Sequence, residues 1–336
     1  MVAVVKQRNL RTIIVFAVLA LSIVGSIVLY IYSRTFAKAN RLGLPMHEEA
    51  FNSIMERAVP HLLAMMAASA VLAVISLSFQ TIVQSRVLTP SMIGFDSVFM
   101  GTQTLIVFLA GPFSVWFVNP YLNYLVTAGV MVVVSMFMFS FILRSHRNNI
   151  VFLLMFGLVL SGIIGSGTRY LQIMMNENDF VQVQAATSVN INNINTNIAY
   201  LSFPLIAVVI LLTIMRHRRL NVMSLGPEQA KGLGIPYERE LRINLIIIAV
   251  GMSVATALIG SLTFLGLLVV NASREILKTH KHLPLFIGSM LLAMLTLILG
   301  QAVMELIQGA VPVAVIINLV GCTYVFYLIL KENRTS

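Results

Sequence analysis

The side chains that most often bind metals or move protons are sparse in the apolar parts of this chain. Two of its histidines stand close together in the tripeptide HKH at 280–282. Because a lysine separates them and the tripeptide lies at the end of an apolar run, we interpret it as a solvated basic cluster rather than a metal site. His61, near the start of another apolar run, is interpreted as an interfacial histidine rather than a ligand. The sequence predicts no metal site.

The groups expected of an ion-coupled carrier, charged residues in the middle of apolar runs, are also missing. Asp96, Arg169, Glu275 and Glu305 all fall at the ends of these runs. The middles hold weakly polar side chains instead. Four of these are our candidates for lining a passage: Gln103, Ser166, Asn271 and Asn318. We therefore expect any driving energy to be applied from outside the chain.

Sequence motifs of common catalytic sites are absent. There is no G-x-x-x-x-G-K-[ST] phosphate loop, no H-E-x-x-H zinc motif and no G-x-S-x-G nucleophile motif. The one cysteine, Cys322, excludes a disulfide framework and a cysteine metal site. We expect no catalytic residue and no cofactor bound by this chain.

The elements that carry these residues are membrane spans. The chain is 58% hydrophobic and 10% charged, whereas an average soluble domain is about 25% charged. No charged residue occurs between Arg11 and Arg34. A run of this length crosses the roughly 30 Å hydrocarbon core of a bilayer as a helix, which pairs its own backbone groups. The sequence predicts an all-α membrane protein with one membrane domain over residues 1–336.

Ten spans are predicted from charges and helix breakers. Residues 97–143 carry no charge and are too long for one helix, so Gly111-Pro112 and Asn119-Pro120 are expected to divide them in two. Residues 243–273 are expected to divide at Gly260-Ser261, giving a shorter helix that ends near Lys278. The other spans are predicted at 12–33, 58–85, 148–168, 196–215, 283–304 and 312–330.

Basic residues predict the orientation of the spans. With a cytoplasmic N-terminus, all but five of the 22 basic residues lie in cytoplasmic segments, as the positive-inside rule requires. The five on the outer side are Arg34, Lys38, Arg41, Arg57 and Arg169. Both termini are then cytoplasmic, and the first span is expected to be an uncleaved helix rather than a signal peptide. The net charge of +10 is explained by topology, so we expect membrane lipid and no nucleic acid as a partner.

Two connecting segments are longer than simple turns. The outer segment 174–197 is polar, and Asp179 is expected to cap a short helix that runs to Ala186. It is either an ordinary hydrated loop or a lid over an outward-facing pathway. The inner segment 216–242 predicts one short helix, with Pro227 and Glu228 in its first turn and Gly232 or Gly234 at its end. That helix either packs on a partner protein or lies on lipid headgroups.

The segment LNVMSLGPEQAKGLG at 220–234 resembles the cytoplasmic signature of the FecCD-type permeases of bacterial ABC importers. Three further segments resemble motifs of that family in the expected order: TPSMIG at 89–94, GSLTFLGL at 260–267 and VPVAVIINLVG at 311–321. The family comprises ten-helix membrane subunits that import ferric siderophores, haem and cobalamin. The resemblance implies the type II importer fold, and GFDS at 94–97 looks closest to the branch that serves catecholate siderophores.

Departures from the family pattern bear on the site that docks the binding protein. The family's R-L-P-R segment is RAVPH at 57–61 here, so His61 replaces an arginine and Arg57 is displaced by one position. The family's P-H-I-x-R segment is VNASR at 270–274, which keeps only Arg274. The resemblance nevertheless implies docking of a binding protein through Arg57, His61 and Arg41.

The resemblance also implies the rest of the assembly. A second permease chain, identical or a paralogue, pairs with this one in the bacterial cytoplasmic membrane, and two ATPase subunits hold ATP and Mg and contact the inner loops. An extracellular or periplasmic protein delivers the siderophore. The residues expected to couple the permease to the ATPases are Leu220, Leu225, Gly226, Pro227, Glu228, Ala230, Leu233 and Gly234. An ion-coupled secondary transporter is the alternative, and a buried mid-membrane Asp, Glu or His would favour it.

Overall fold

The computed structural model describes residues 2–42, 48–145, 150–189, 194–307 and 312–333, and within these ranges the chain forms helices joined by short connections. Ten of the described helices are long. Their bounds are α1 Val2–Leu42, α2 Glu48–Val83, α3 Phe95–Ala110, α5 Pro120–Ser145, α6 Ile150–Met174, α8 Thr196–Met215, α11 Tyr237–Ile259, α12 Leu265–Leu277, α13 His282–Leu306 and α14 Val313–Asn333. Four short helices lie between them: α4 Val115–Val118, α7 Glu177–Thr187, α9 His217–Met223 and α10 Pro227–Gly232.

The breaks predicted in the two longest apolar runs are confirmed. Helix α3 ends at Ala110, and α5 begins at Pro120, where the fixed φ angle and missing N–H of proline suit a first helical turn. Helix α11 ends at Ile259, and Gly260 follows with φ of +87°, a conformation that side chains with a Cβ rarely adopt. Helix α12 then ends one residue before Lys278, as expected.

Helix α2 forms the centre of the bundle. It contacts α8, α11, α12 and α13, and most residues of its apolar part, Ala58–Val83, are buried. Helix α1 packs on α13 at the periphery and presents large apolar side chains such as Leu21 and Val28 outward. Among the described residues, six helices are long and apolar enough to cross a bilayer by length and composition. Apolar side chains on the outside of the bundle are what lipid contact requires.

Helices α3 and α12 both begin inside the bundle rather than at its surface. The Ser97 hydroxyl at the start of α3 lies 2.8 Å from the Ser161 hydroxyl, near the middle of α6. Just ahead of α12, the Thr263 hydroxyl donates to the Asp96 carboxylate over 2.6 Å. The chain returns to this depth through a 3-10 helix at Pro90–Ile93. Irregular backbone is tolerated at such depth because protein covers it.

The surroundings of Asp96 correct one sequence-based expectation. Asp96 does lie at a helix end, but that end packs against other segments, so the residue is half-buried and its Oδ1 atom is shielded from solvent. Its Oδ1 atom has no hydrogen-bond partner in the part of the chain that the structure describes. A second correction concerns α7: Asn176, not Asp179, is its N-cap residue, and Asp179 lies in the first turn.

Candidate functional site

The segment between α8 and α11 folds as two short helices, α9 and α10, at the end of the bundle where α2 finishes. One helix was expected here. Gly226 forms the turn between the two with φ of +103°, and its backbone faces the Gln84 side chain, which a Cβ would approach to 3.3 Å. The first helical residue of α10 is Pro227, with Glu228 in the same turn, as predicted. Gly234 follows the helix with φ of +80°.

The apolar residues of this segment face in two directions, which corrects the prediction from the sequence that Leu225, Ala230 and Leu233 lie near one side of the helix. Leu220 and Ala230 are fully buried against the rest of the chain, so their side chains pack within this protein. Leu225 and Leu233 are exposed, at 52% and 63%. Leu225 lies in the turn before α10 and Leu233 directly follows its last residue, and exposed leucines outside the apolar bundle are candidates for contact with a partner protein. We call the exposed residues Leu225, Pro227, Glu228, Gln229 and Leu233 the α10 surface.

A buried carboxylate fastens the segment to α11. Glu240, with 1% of its side chain exposed, forms salt bridges with Arg216 and Arg219 at the junction of α8 and α9. Removing one partner of a buried ion pair leaves an uncompensated charge, so such pairs hold their elements in fixed positions. Asn244, one turn further along α11, donates to the Glu240 carbonyl over 2.8 Å.

A second set of polar contacts ties α9 to α13 and α2. Asn221 Oδ1 accepts from the backbone N–H of His282 over 2.8 Å and lies 2.7 Å from the Nδ1 atom of its ring. The other ring nitrogen, Nε2, lies 2.7 Å from the Thr81 hydroxyl of α2. His282 is therefore not the solvated residue expected from the HKH tripeptide, although His280 and Lys281 are exposed. We call Asn221, His282 and Thr81 the Asn221 latch.

The opposite end of the bundle carries the docking residues expected from the sequence. His61 is buried, which makes its side chain unsuitable for direct contact with a partner. Its Nδ1 accepts from the Arg34 guanidinium over 3.1 Å, and its Nε2 lies 3.0 Å from the Ile194 carbonyl, which accepts the ring N–H. Arg34 also donates to the Tyr30 hydroxyl. His61 thus joins α1, α2 and the start of α8.

The other docking candidates, Arg41 and Arg57, lie in α1 and α2. Their docking role stays a prediction. The part of the predicted outer segment at 190–193 lies outside the described residues.

The four residues expected along a passage do not meet in one place. Gln103 is buried and bonds to Asn123 and Thr127 of α5, beside a cavity of about 360 Å³ between α3, α5, α7, α8 and α11. Asn271 is buried near the opposite end, where it donates to the Arg86 carbonyl over 2.8 Å. Ser166 is exposed on α6, and Asn318 is half-buried on α14. Their role in transport stays a prediction.

Several structurally important polar residues were missed by sequence reasoning. Glu240 and Asn221 stand in a polar segment, where nothing in the sequence separates a buried residue from a solvated one. Asp96 had a weak signal, because a charge preceding a long apolar run can lie either at the bilayer surface or inside a re-entrant turn. The proline and glycine on its N-terminal side, Pro90 and Gly94, favour the turn.

Comparisons with known proteins agree on one family. Residues 12–331 match the model of the FecCD transport family. The petrobactin import system permease protein YclO of Bacillus subtilis (strain 168) is 36% identical over 84% of this chain and 90% of its own length. The petrobactin import system permease protein FatC of Bacillus anthracis is 26% identical over 98% of this chain and 91% of its own length. An inward-facing structure of an ABC transporter assigned to the metal-chelate type matches with a TM-score of 0.76, 20% identity, and coverage of 93% of this chain and 99% of that one.

Proposed function

The chain belongs to the FecCD transport family, and we propose that it is the membrane-spanning subunit of an ATP-driven importer that carries an iron–siderophore complex into a bacterial cell. Two relatives that it matches over most of their length are permeases of petrobactin import systems, which supports an iron siderophore as substrate. The fold that the chain shares with an ABC transporter supports energy coupling by a separate ATPase.

The proposal rests on one observation: the exposed α10 surface is joined to the membrane helices by buried polar contacts. The α10 surface presents Leu225 and Leu233 to a partner. Behind it, Glu240 and the Asn221 latch connect α9 to three long helices, α11, α13 and α2. A partner that pushes on the α10 surface therefore displaces the membrane helices with it. This is the mechanical link that an importer needs when ATP is hydrolysed by another subunit.

The alternative, an ion-coupled secondary transporter, gains one supporting observation from the half-buried carboxylate of Asp96, whose Oδ1 atom is shielded from solvent. The same carboxylate accepts a hydrogen bond from Thr263, which joins the starts of α3 and α12. A carboxylate that ties two re-entrant segments together has a structural explanation that needs no coupling ion. We therefore prefer the ATP-driven function.

The ATPase contact is tested by changing the α10 surface. Leu225→Asp combined with Leu233→Asp is expected to abolish co-purification of the ATPase subunits, because both leucines would be desolvated in the contact. Both are exposed, so the cost in stability should stay within about 0.5 kcal/mol each. Gln229→Asp, on the same surface, is the control for added charge. ATPase recovery as in wild type with the double variant would refute this contact.

Delivery of the siderophore is proposed to occur at the opposite end, through Arg41 and Arg57. If acidic residues of a binding protein meet them, Arg41→Glu combined with Arg57→Glu should weaken its docking, since like charges in contact oppose binding. Surface plasmon resonance with the assembled transporter measures the affinity. An unchanged affinity of the binding protein for this double variant would show that docking uses other residues of this face.

A further inference from the structure

Two adjoining cavities open beside the ends of α2 and α12, and their shared border is formed by residues that have not been assigned above to coupling or docking. The larger, of about 400 Å³, lies between the end of α2, the 224–225 turn and the connection from α12 to α13. The smaller, of about 270 Å³, lies between α12 and α14. Four residues border both: Arg86, Arg274, Thr279 and His280. We call the larger one the basic cavity.

The Arg274 guanidinium at this border is half-buried, and its hydrogen-bond partner among the described residues is a neutral side chain. Its Nη1 donates to Gln80 Oε1 over 2.8 Å. Within the described ranges, no carboxylate lies within ion-pair distance of Arg274. Arg86, a second guanidinium, stands at the same border. Because withdrawing a charge from water is costly unless an opposite charge compensates it, the half-buried Arg274, with the exposed Arg86 beside it, favours a bound anion.

Gln80 supplies an independent observation. Its side chain is 2% exposed and lines the basic cavity. Since its Oε1 accepts from Arg274, its Nε2 is the donor, and that donor has no partner in the described chain. A buried amide donor without an acceptor destabilises the folded state, because it has lost its hydrogen bonds to water. An oxygen acceptor in the cavity would remove that destabilisation.

The wall of the basic cavity complements an oxyanion in composition. Among the residues that the structure describes, its lining contains arginine, histidine, glutamine and hydroxyl side chains and no aspartate or glutamate. The acidic residue of the neighbouring cavity is Glu275, which lines the smaller space only. Guanidinium groups bind carboxylates and phosphates through paired N–H donors.

We propose that the basic cavity is an oxyanion-binding site, in which Arg274, Arg86 and the Gln80 amide hold a carboxylate or phosphate group. An occupant would lie against Leu225 and against His282 of the Asn221 latch, both of which line the same cavity. It would therefore contact the elements that link the α10 surface to the membrane helices. The anion can come from the acidic groups of the transported chelate, which rests on the proposed function, or from a lipid headgroup.

Thermal unfolding of the assembled transporter in nanodiscs tests the site. Citrate, a tricarboxylate, serves as the soluble probe, and triethyl citrate is its uncharged control at constant ionic strength. In phosphatidylcholine nanodiscs, citrate is expected to raise the unfolding midpoint of the wild type by about 2 °C or more, because a ligand of the native state stabilises it. The unfolding midpoint is also measured in nanodiscs of phosphatidylcholine and phosphatidylglycerol at four to one, without citrate. This tests whether an anionic lipid headgroup supplies the bound anion.

Two variants and a matched control make the test specific. Arg274→Gln removes the half-buried guanidinium, and Arg86→Gln removes the exposed one, so the second should fold even if the first does not. Each variant is expected to lose whichever shift of the unfolding midpoint the wild type shows, whether with citrate, with phosphatidylglycerol or with both. Arg242→Gln, an exposed arginine of α11 outside the cavity, should respond like the wild type.

The outcomes separate the two sources from failure of the proposal. A shift with citrate alone supports the chelate as occupant, and a shift with phosphatidylglycerol alone supports the lipid. If Arg86→Gln and Arg274→Gln respond to both probes as the wild type does, or if the wild type responds to neither, the site is refuted. The assay requires no transport, so its result is independent of whether the proposed import function is correct.

Discussion

Asn221 is the residue whose contacts link the α9–α10 segment most directly to the membrane helices. Its side-chain oxygen accepts the first backbone N–H of α13 and lies against the His282 ring. The donors at a helix start have no partner within the helix, so this contact both satisfies one of them and fixes the position of α9. Through His282 and Thr81 the same contact reaches α2.

We predict that Asn221→Ala uncouples ATP hydrolysis from transport. The variant removes the acceptor of two contacts and should cost about 1–3 kcal/mol of stability, because a buried N–H loses its partner. Transport per ATP hydrolysed should fall several-fold, whereas ATPase binding through the α10 surface should remain. Uptake and phosphate release in proteoliposomes measure the ratio.

Asn221→Asp is the control for this prediction, since it keeps an oxygen acceptor at the same position. It should recover more of the coupling than alanine does. If the Asn221→Ala transporter moves as much substrate per ATP hydrolysed as the wild type does, the Asn221 latch is not required for coupling.

At single positions, burial was the property that the sequence predicted least well. His282 and His61 were both assigned to surfaces, and both are buried with their ring nitrogens bonded. In an apolar chain the residues at span ends have the same sequence signature whether they face water or a neighbouring helix. Whether such a residue is solvated or buried depends on the packing of distant segments. His61, for example, is covered by Ile194, whose carbonyl accepts its ring N–H from the segment just before α8.

At the scale of elements, the turn at Gly226 sets the angle between α9 and α10. Its φ of +103° is strained for any residue with a Cβ, and a Cβ would also press on Gln84 of the segment that follows α2. Residues held in such regions cost of the order of 1–3 kcal/mol. The turn therefore keeps its geometry only while the residue is glycine.

We predict that Gly226→Val lowers transport and substrate-stimulated ATP hydrolysis while the helices of the bundle remain folded. The turn would relax and move Leu225 away from its position on the α10 surface. Circular dichroism checks the helix content, and ATPase assays with and without substrate check the coupling.

Gly232→Ala is the matched control, because a Cβ there meets no atom within 4 Å and the residue is helical. It should behave like the wild type. An equal loss of transport in both glycine variants would show that the effect is not specific to the turn. Normal coupling of ATP hydrolysis to substrate in Gly226→Val would contradict the role of the turn.

The sequence predicted the long helices better than the short ones. Length, charge-free runs and proline placement determine whether a helix spans a bilayer, so the breaks before Pro120 and after Ile259 were predictable. The depth at which α3 and α12 begin was not, because it depends on contacts such as that between Asp96 and Thr263, 167 residues apart in the chain. Short helices such as α9 lack a periodic signal of their own.

For the whole molecule, the placement of basic residues predicts the orientation in the membrane. The α9–α10 segment and both termini are expected in the cytoplasm. A cysteine at Ser224, introduced with Cys322→Ser, is exposed next to the α10 surface and should react with an impermeant maleimide only after the cells are opened. Labelling in intact cells would reverse the orientation and place the α10 surface on the wrong side for an ATPase.

The central claim is that ATP hydrolysis by partner subunits drives substrate through this chain. The most direct measurement is uptake of a radioactive iron–siderophore complex by proteoliposomes that contain the permease chains, the ATPase subunits and the binding protein. Uptake is compared with ATP, with a non-hydrolysable ATP analogue, and with an imposed proton or sodium gradient in place of ATP. We predict accumulation with ATP alone, and none with the analogue or a gradient. Accumulation driven by a gradient without ATP would contradict ATP-driven import and favour ion coupling through the half-buried carboxylate of Asp96.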